Sequence, residues 1–345
     1  MNYMTERINS LQGLRVIAML IIFLYHAELF PFGHFAVTFF FILSGFVAYY
    51  ADKNKNEINI KSSISYFFNK IKKFYLIYLI AMILGVVVNF NIINSYPLIK
   101  IIGIIVSNLL LVQAFIPNPD YYFSLNGVGW YLSSLGFCYL TYKLYKKFLN
   151  KVKRNNLIIT IVLLWIFQLI ISILIINLDY STTQWIMYIN PVIRSINFFM
   201  GMVLAKLFIA NKNELEDRMK NLTFIEFTII LIFLVVYIGS IFIPRSFIWS
   251  TYYSPIIMII IYLFSFEKGC ISKFLGKKIF ITLSRISFEF YIFHQVILTS
   301  LWKVVGDNKI KLIGGSLIIT LLISKFVFSL KKVKNTLIYN KKSCN

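Results

Sequence analysis

The sequence is poor in acid. Among its 345 residues, 13 Asp and Glu face 35 Lys and Arg, a formal charge of +22, and charged residues of both signs make up only 14%. A soluble domain carries about a quarter. Histidine is limited to His26, His34 and His294, and cysteine to Cys138, Cys270 and Cys344. With no CxxC and no Cys/His metal spacing, at most one disulfide can form and no metal site is expected. P-loop and dinucleotide fingerprints are missing, which argues against nucleotide hydrolysis. No G-x-S-x-G elbow marks a nucleophilic serine. There is no tandem repeat, Gly/Ser-rich linker or long charge block. The first apolar run lacks a small-residue cleavage site, so it is expected to remain as a span rather than leave as a signal peptide.

What the chain has in excess is apolar surface. Hydrophobic residues are 59%, aromatics 18% with 34 Phe and 22 Tyr, and the mean hydropathy is +0.77. A water-soluble core cannot hide that much, so the chain is expected to be dissolved in lipid as a polytopic, all-α transmembrane bundle. The surplus of cations, which in a soluble protein would suggest nucleic acid, then reads as the positive-inside asymmetry of membrane loops.

A span needs about 20 apolar residues. Candidates fall at 14–30, 35–51, 74–90, 101–116, 126–146, 156–178, 191–210, 223–243, 253–267, 280–301 and 312–330. The basic segments 53–73, 143–154, 206–220, 268–278 and 325–342 hold 26 of the 35 cations. All five share one side only if one candidate between 74 and 146 does not cross. The weakest is 101–116, which contains Asn108 and Gln113 and ends at Pro117 and Pro119. It is expected to be re-entrant or short, leaving ten spans and both termini in the cytoplasm of a plasma-membrane protein. Residues 1–345 are read as one transmembrane domain with a short Lys/Asn-rich cytoplasmic tail, 331–345, and no fused extracytoplasmic domain.

Ionisable residues inside spans are costly and are functional candidates by default. The first span carries Arg15 and His26. Eleven residues of helix return to within about 20° of the same face and rise roughly 16 Å. Both side chains are therefore expected to face one interior groove, Arg15 near the cytoplasmic mouth and His26 deeper. That suits a ligand with an anionic head and a long neutral arm, the Arg fork gripping phosphate. Against it stands the plainer reading, in which Arg15 snorkels and His26 satisfies a helix–helix hydrogen bond.

Leu11-Gln-Gly-Leu-Arg15-Val-Ile-Ala, followed by His26-Ala27, resembles the opening signature of the acyltransferase family 3 membrane proteins. Five further segments match in order. They are Phe39 to Phe46 with its Ser44-Gly45 pair, Lys70-Ile-Lys-Lys73-Phe-Tyr75 entering the third span, and Trp130-Tyr-Leu-Ser133. Pro191-Val-Ile-Arg194 through Phe199-Met-Gly201 follows, then Ile286-Ser287 through Tyr291-Ile-Phe-His294. The resemblance implies about ten spans and transfer of an acyl group, usually acetyl, from a cytoplasmic thioester to a hydroxyl of a cell-surface glycan. Acetyl-CoA is then the donor and no metal is involved. Gln12 stands where the family commonly has Asp, Lys70 and Lys73 where it has Arg, and Leu76 where it has Pro. Leu135 and Gly136 replace a common Glu.

On this reading His26 is the base or transient acyl carrier, since imidazole is the side chain suited to take an alcohol proton near neutral pH. Arg15, Lys70 and Lys73 are candidates for the coenzyme A phosphates. Trp130, Arg194, Glu289 and His294 are candidates for the acceptor, each with a plainer alternative. Trp130 would belong to an interfacial aromatic belt, Arg194 would snorkel, and Glu289 would pair with Arg285 four residues earlier. His294 would be a satisfied buried histidine. His34 is expected to be solvated in a short loop. Ser44 and Gly45 are expected to permit close helix packing, and Glu226 to close a capping box with Thr223. Two other functions fit ten spans with buried Arg and His: a membrane transporter, and an acyl relay supplying a separate secreted transferase.

Overall fold

A computed structural model describes residues 7–52, 60–218, 222–306 and 308–343, with side chains for 7–52, 61–215, 222–306 and 308–331; Lys53, Lys55, Lys220 and Cys344 lie outside them. No strand occurs among the described residues. The helices in order are α1 (Asn9–His26), α2 (His34–Ala51), α3 (Ile60–Ile71), α4 (Tyr75–Val88), α5 (Phe90–Asn94) and α6 (Leu98–Leu109). Then come α7 (Pro119–Tyr122), α8 (Trp130–Lys151), α9 (Leu157–Leu174), α10 (Tyr180–Gln184), α11 (Pro191–Arg218) and α12 (Thr223–Gly239). The last are α13 (Arg245–Ile248), α14 (Ser254–Phe264), α15 (Cys270–Leu275), α16 (Lys278–Arg285), α17 (Ser287–Val305) and α18 (Lys309–Ser343).

Among the described residues, six helical segments are long and apolar enough to cross a membrane: Asn9–His26, His34–Ala51, Arg154–Leu174, Tyr180–Leu215, Thr223–Phe242 and Lys309–Lys331. Lys61–Ile71 and Tyr75–Val88 pass as a seventh if taken together across their 55° bend. Length and composition thus describe an all-helical membrane protein. The segment expected at 101–116 is the 12-residue α6, about 18 Å long at 1.5 Å per residue, which is short of a hydrocarbon core.

Several boundaries differ from those expected. The basic segments are largely continuations of helices rather than loops: α3 covers much of 53–73, α8 runs through Lys151 and α11 through Arg218. The tail beyond Leu330 prolongs α18 to Ser343. The candidate span 280–301 is broken at Ile286 into α16 and α17. Long side chains such as Lys keep their stems on a helix while the charge reaches water, so cations need no loop.

Burial sorts the helices. The apolar windows of α2 and α11 are 72% buried, whereas those of α9, α12 and α18 are 17% buried. Outward faces such as Leu163, Phe167 and Ile170 on α9, or Leu231, Val235 and Ile238 on α12, are exposed and apolar. In a membrane those faces meet lipid. What α9 turns inward is polar: Gln168 and Ser172 are fully buried. Ser172 Oγ lies 2.8 Å from Thr251 Oγ1, and Asn197 Nδ2 donates to Gln168 Oε1 at 3.3 Å. Lipid offers helices no hydrophobic drive to associate, so such bonds and close packing hold them.

The closest packing is between α2 and α11. A Cβ on Gly45 would overlap the Phe198 carbonyl, and one on Gly201 the Ile42 carbonyl. The expected close approach at Gly45 is therefore present, and Gly201 is its counterpart. Glu226 does not cap its own helix: Leu222 is the N-cap of α12 without a side-chain bond. Its Oε2 accepts instead from the Ile271 and Ser272 amides at 2.9 and 3.0 Å, capping α15, while Thr223 accepts from Cys270 N.

Gly45→Ala should lower the unfolding stability of the detergent-solubilised protein by about 1–3 kcal/mol, the usual cost of overpacking. Gly314→Ala, where a Cβ meets open space, should leave the melting temperature unchanged or raise it. Equal behaviour of the two variants would remove the α2–α11 contact from its place at the centre.

Candidate active site

The α1 helix is set from its N-terminus. Ser10 N donates to Glu267 Oε1 at 2.8 Å and Ser10 Oγ to the Phe264 carbonyl at 2.7 Å. Gly13 lets the helix lie against the Leu275 backbone of α15, where a Cβ would clash. From this fixed rod Arg15 points into two cavities. One, of about 800 Å³, is lined at its edge by Arg7, Gln12, Tyr50, Ser284, Arg285 and Phe328. The other is an inner chamber of about 180 Å³, walled by Ile22, Phe40, Ser44, Tyr131, Tyr139 and Tyr291. Three guanidinium groups, Arg7, Arg15 and Arg285, thus surround the larger opening, and the smaller space behind is mostly apolar and aromatic.

At the other end of α1, His26 packs its ring against that of His294 on α17, centroids 5.2 Å apart. His294 is buried, and its Nδ1 lies 2.6 Å from the Tyr291 carbonyl. A carbonyl only accepts, so Nδ1 carries the proton and Nε2 is left as a lone pair. That Nε2 is buried without a hydrogen-bond partner among the described residues. Phe290 stacks on His294 and Phe23 meets its edge, which fixes the ring plane. His26 also lines a cavity of about 330 Å³ with Glu28, Gln295, Thr299, Trp302 and Lys309.

Arg15 and His26 therefore do not share one groove, as their spacing suggests; they line separate cavities. What joins them is Tyr291. Its ring walls the inner chamber, lies 5.7 Å from His294, and its carbonyl holds the His294 ring. Helical spacing places two residues on a face, but side chains from α8 and α17 decide whether that face is one space or two.

Lys70 and Lys73 line a further cavity, of about 590 Å³, with Asp52, Lys61, Tyr66 and Lys143. It shares a wall, Ala51, with the cavity of Arg15. Behind it sits a buried cluster that sequence reasoning missed: Lys143 and Lys146 each lie 3.0 Å from Asp52 Oδ2, and Tyr142 donates to the same oxygen at 3.0 Å. Burial alone would push the Asp52 carboxyl up, but the two lysine hydrogen bonds outweigh it and hold the group below its ordinary value. The signal available was the spacing of Tyr142, Lys143 and Lys146 on one helical turn. What it lacked was Asp52, about 90 residues away.

Other expected site residues fall elsewhere. Arg194 neither snorkels nor faces an open site: it is fully buried. Its guanidinium donates to the carbonyls of Tyr188 (2.7 Å) and Trp249 (2.9 Å), and to Thr38 Oγ1 (3.2 Å) and Asn197 Oδ1 (3.4 Å). Trp130 is buried inside the protein rather than on its outer surface, with its ring 4.8 Å from Tyr188. Glu289 pairs with Lys331 of α18 at 2.7 Å rather than with Arg285, because the break at Ile286 puts Arg285 and Glu289 on different helices. His34 is buried beside Tyr25 rather than solvated, centroids 5.3 Å apart. Among the described residues no three His, Cys, Asp or Glu side chains converge as metal ligands would.

An all-helical membrane protein with a guanidinium-rimmed cavity at one end of a helix and an imidazole pair at the other is the setting for the comparison with known proteins. The model of acyltransferase family 3, described as an acyltransferase domain, matches residues 8–330, and the chain belongs to that family. Among curated proteins, Acyltransferase MdmB of Streptomyces mycarofaciens is 25% identical over 232 residues, 58% of this chain and 57% of that relative. The chain thus spans a little over half the length of the curated relative it matches. No solved structure matches it.

Asp52→Asn should remove the carboxylate that the buried Lys143 and Lys146 share and lower stability at pH 7 by about 3 kcal/mol. A depressed carboxyl stabilises the fold above the ordinary carboxylate pKa of about 3.9 and loses that effect as pH falls through its folded value. Thermal melts of the two proteins should therefore differ most near neutrality and converge in acid. A gap that widens in acid would contradict the assigned cluster.

Proposed function

We propose that this protein is a membrane acyltransferase moving an acyl group, acetyl by preference, from acyl-CoA to a hydroxyl of a cell-surface or exported glycan. The observation that carries this reading is the ring contact between His26 and His294 at one end of α1, with Arg15 and two further guanidinium groups at the other, in a chain of this family. Membership supports the reaction class, and the different linings at the two ends of α1 support assigning one reactant to each end.

Arg15, with Arg7 and Arg285 beside it, grips the phosphates of coenzyme A through forked, charge-assisted bonds. Lys70 and Lys73, across Ala51, extend that field as point charges. The thioester end enters the aromatic chamber behind Arg15 and approaches Tyr291. Tyr291 and His294 must yield to let it meet His26.

His26 then removes the proton of the acceptor hydroxyl. The alkoxide oxygen attacks the thioester carbonyl, the C–S bond breaks, and the coenzyme A thiolate leaves and is protonated. In the alternative route His26 nitrogen attacks the carbonyl, the thiolate leaves, and the acyl-imidazole is passed to the acceptor. His294 serves by position: its Nδ1–H is tied to the Tyr291 carbonyl and its ring lies against that of His26.

Ten crossings are proposed: the six long apolar helices, the bent α3–α4 pair, and α8, α14 and α17. An even count puts both termini on one side. The basic segments cluster at the Arg15 end, which the positive-inside rule places in the cytoplasm. Acyl-CoA then enters from the cytoplasm and the acceptor from outside.

Purified protein in proteoliposomes, given radiolabelled acetyl-CoA and an extract of surface glycan, should transfer label to the glycan. His26→Ala should slow transfer by about 10²–10⁴-fold, the usual share of a general base. Arg15→Ala should raise the donor KM by about tenfold or more, the worth of a lost charge-assisted bond, and Arg15→Lys should recover part of it. Label on the protein before acceptor is added would select the acyl-histidine route. Label crossing the bilayer without reaching glycan would replace the reading with a relay, and unaltered turnover in His26→Ala would end it.

A further inference from the structure

On the His26 face a second cleft, of about 370 Å³, lies between the 119–127 segment and α17. Its lining includes Tyr96, Asp120, Ser124, Asn126, Gln295 and Thr299. Gln295 and Thr299 line the His26 cavity as well, so the two spaces adjoin through these residues. None of the sequence signatures points to this cleft.

Two features mark it as built to hold something. Asn126 is 2% exposed and its Nδ2 is committed to the Ile292 carbonyl at 2.8 Å, yet its Oδ1 is buried without a partner. Gln295 Oε1 is likewise buried and unpartnered. An unmet buried acceptor costs about 1–3 kcal/mol, and two lining one cleft are explained by a ligand that donates hydrogen bonds to them. Gly127 cradles the Gln295 amide: a Cβ there would stand 2.9 Å from Oε1.

The lining also defines the ligand. In a chain of charge +22, the charged side chain in the cleft lining is a carboxylate, Asp120, which pairs with Lys100 at 2.5 Å. Lys100 in turn sits 3.8 Å above the Tyr96 ring. A phosphate or carboxylate would meet a carboxylate and two amide oxygens; a neutral ring bearing several hydroxyls would meet acceptors it can satisfy. The rings of Tyr96 and Phe123 supply apolar faces for its C–H side.

We propose that this cleft is the acceptor site, binding a neutral sugar ring through Asn126, Gln295 and Asp120, with the neighbouring hydroxyl delivered past Gln295 to His26. The assignment rests on the acyl-transfer reading for the second half of that statement and replaces Trp130 and Arg194 as the residues facing the acceptor. Gln295 is the shared wall, so it positions the ring relative to the imidazole.

The test is saturation-transfer NMR on the whole protein in lipid nanodiscs, which contain no sugar-headed detergent to compete. The probes are methyl β-D-glucopyranoside, methyl α-D-mannopyranoside and, as the anionic counterpart, methyl glucuronoside. Acetyl-CoA binding is measured on the same samples by equilibrium dialysis. Saturation should pass to at least one neutral glycoside and not to the glucuronoside. It should fall at least tenfold in Gln295→Leu and in Gly127→Ala, which keeps the amide but displaces it. Acetyl-CoA binding should be unchanged in both, while Arg15→Ala should show the reverse pattern. Saturation of the glucuronoside alone, of no glycoside, or of neutral glycosides equally in Gly127→Ala and wild type would overturn the cleft. If Gln295→Leu loses acetyl-CoA as well, it has misfolded and Gly127→Ala decides. A wild type that binds glycoside in this manner but no acetyl-CoA would keep the cleft and end the acyl-transfer reading.

Discussion

Arg194 is where the bundle is tied. A guanidinium buried in a membrane protein must find acceptors within the protein, and this one takes them from four places: Thr38 of α2, Asn197 of α11, and the carbonyls of Tyr188 and Trp249. Phe41 and Tyr188 cover its faces, 5.5 and 5.0 Å from the guanidinium carbon. Around that knot α2 and α11 approach until backbone meets backbone at Gly45 and Gly201. Both are mostly buried, so the more exposed helices are arranged around them, and α1 is held between α2, α15 and α17.

The two ends of α1 face different chemistry for a reason that lies in the whole chain. Cations dominate its Arg15 end, where Lys70, Lys73, Lys143, Lys146 and Arg285 also gather, and the Asp52 carboxylate there is taken up by lysines. Toward His26 the lining mixes amides, hydroxyls and aromatic rings with isolated charges of both signs, Glu28, Lys309 and Asp120. An anionic cofactor and a neutral hydroxylated acceptor would be drawn to opposite ends by these fields. Tyr291, which lines the chamber behind Arg15, is in ring contact with His294.

Much of this was legible in the residues. Composition required lipid, long apolar runs located most of the helices, and the Arg15…His26 pair drew attention because ionisable groups inside spans are costly. Misreadings share one cause. Arg285 and Glu289 have helical spacing, but a turn at Ile286 separates them and Lys331 takes the partner's place. Glu226 has capping-box spacing, but it caps a helix that starts at Cys270. Trp130 and Arg194 looked like interface residues because nothing in their neighbours revealed what covers them. Local patterns predict local partners; the actual partners lie tens to hundreds of residues away.

The sequence alone determined the solvent, the helical class and which side chains carry chemistry, because hydropathy and period act over twenty residues and need no partner. Only the tertiary structure decided which of those side chains meet. It set His26 against His294, withdrew Arg194 into the core, divided the Arg15–His26 groove at Tyr291, and left Asn126 and Gln295 with open acceptors beside one another. Each outcome depends on the packing of helices distant in the chain, where a rotation of one residue, about 100°, moves a side chain from a cavity to lipid.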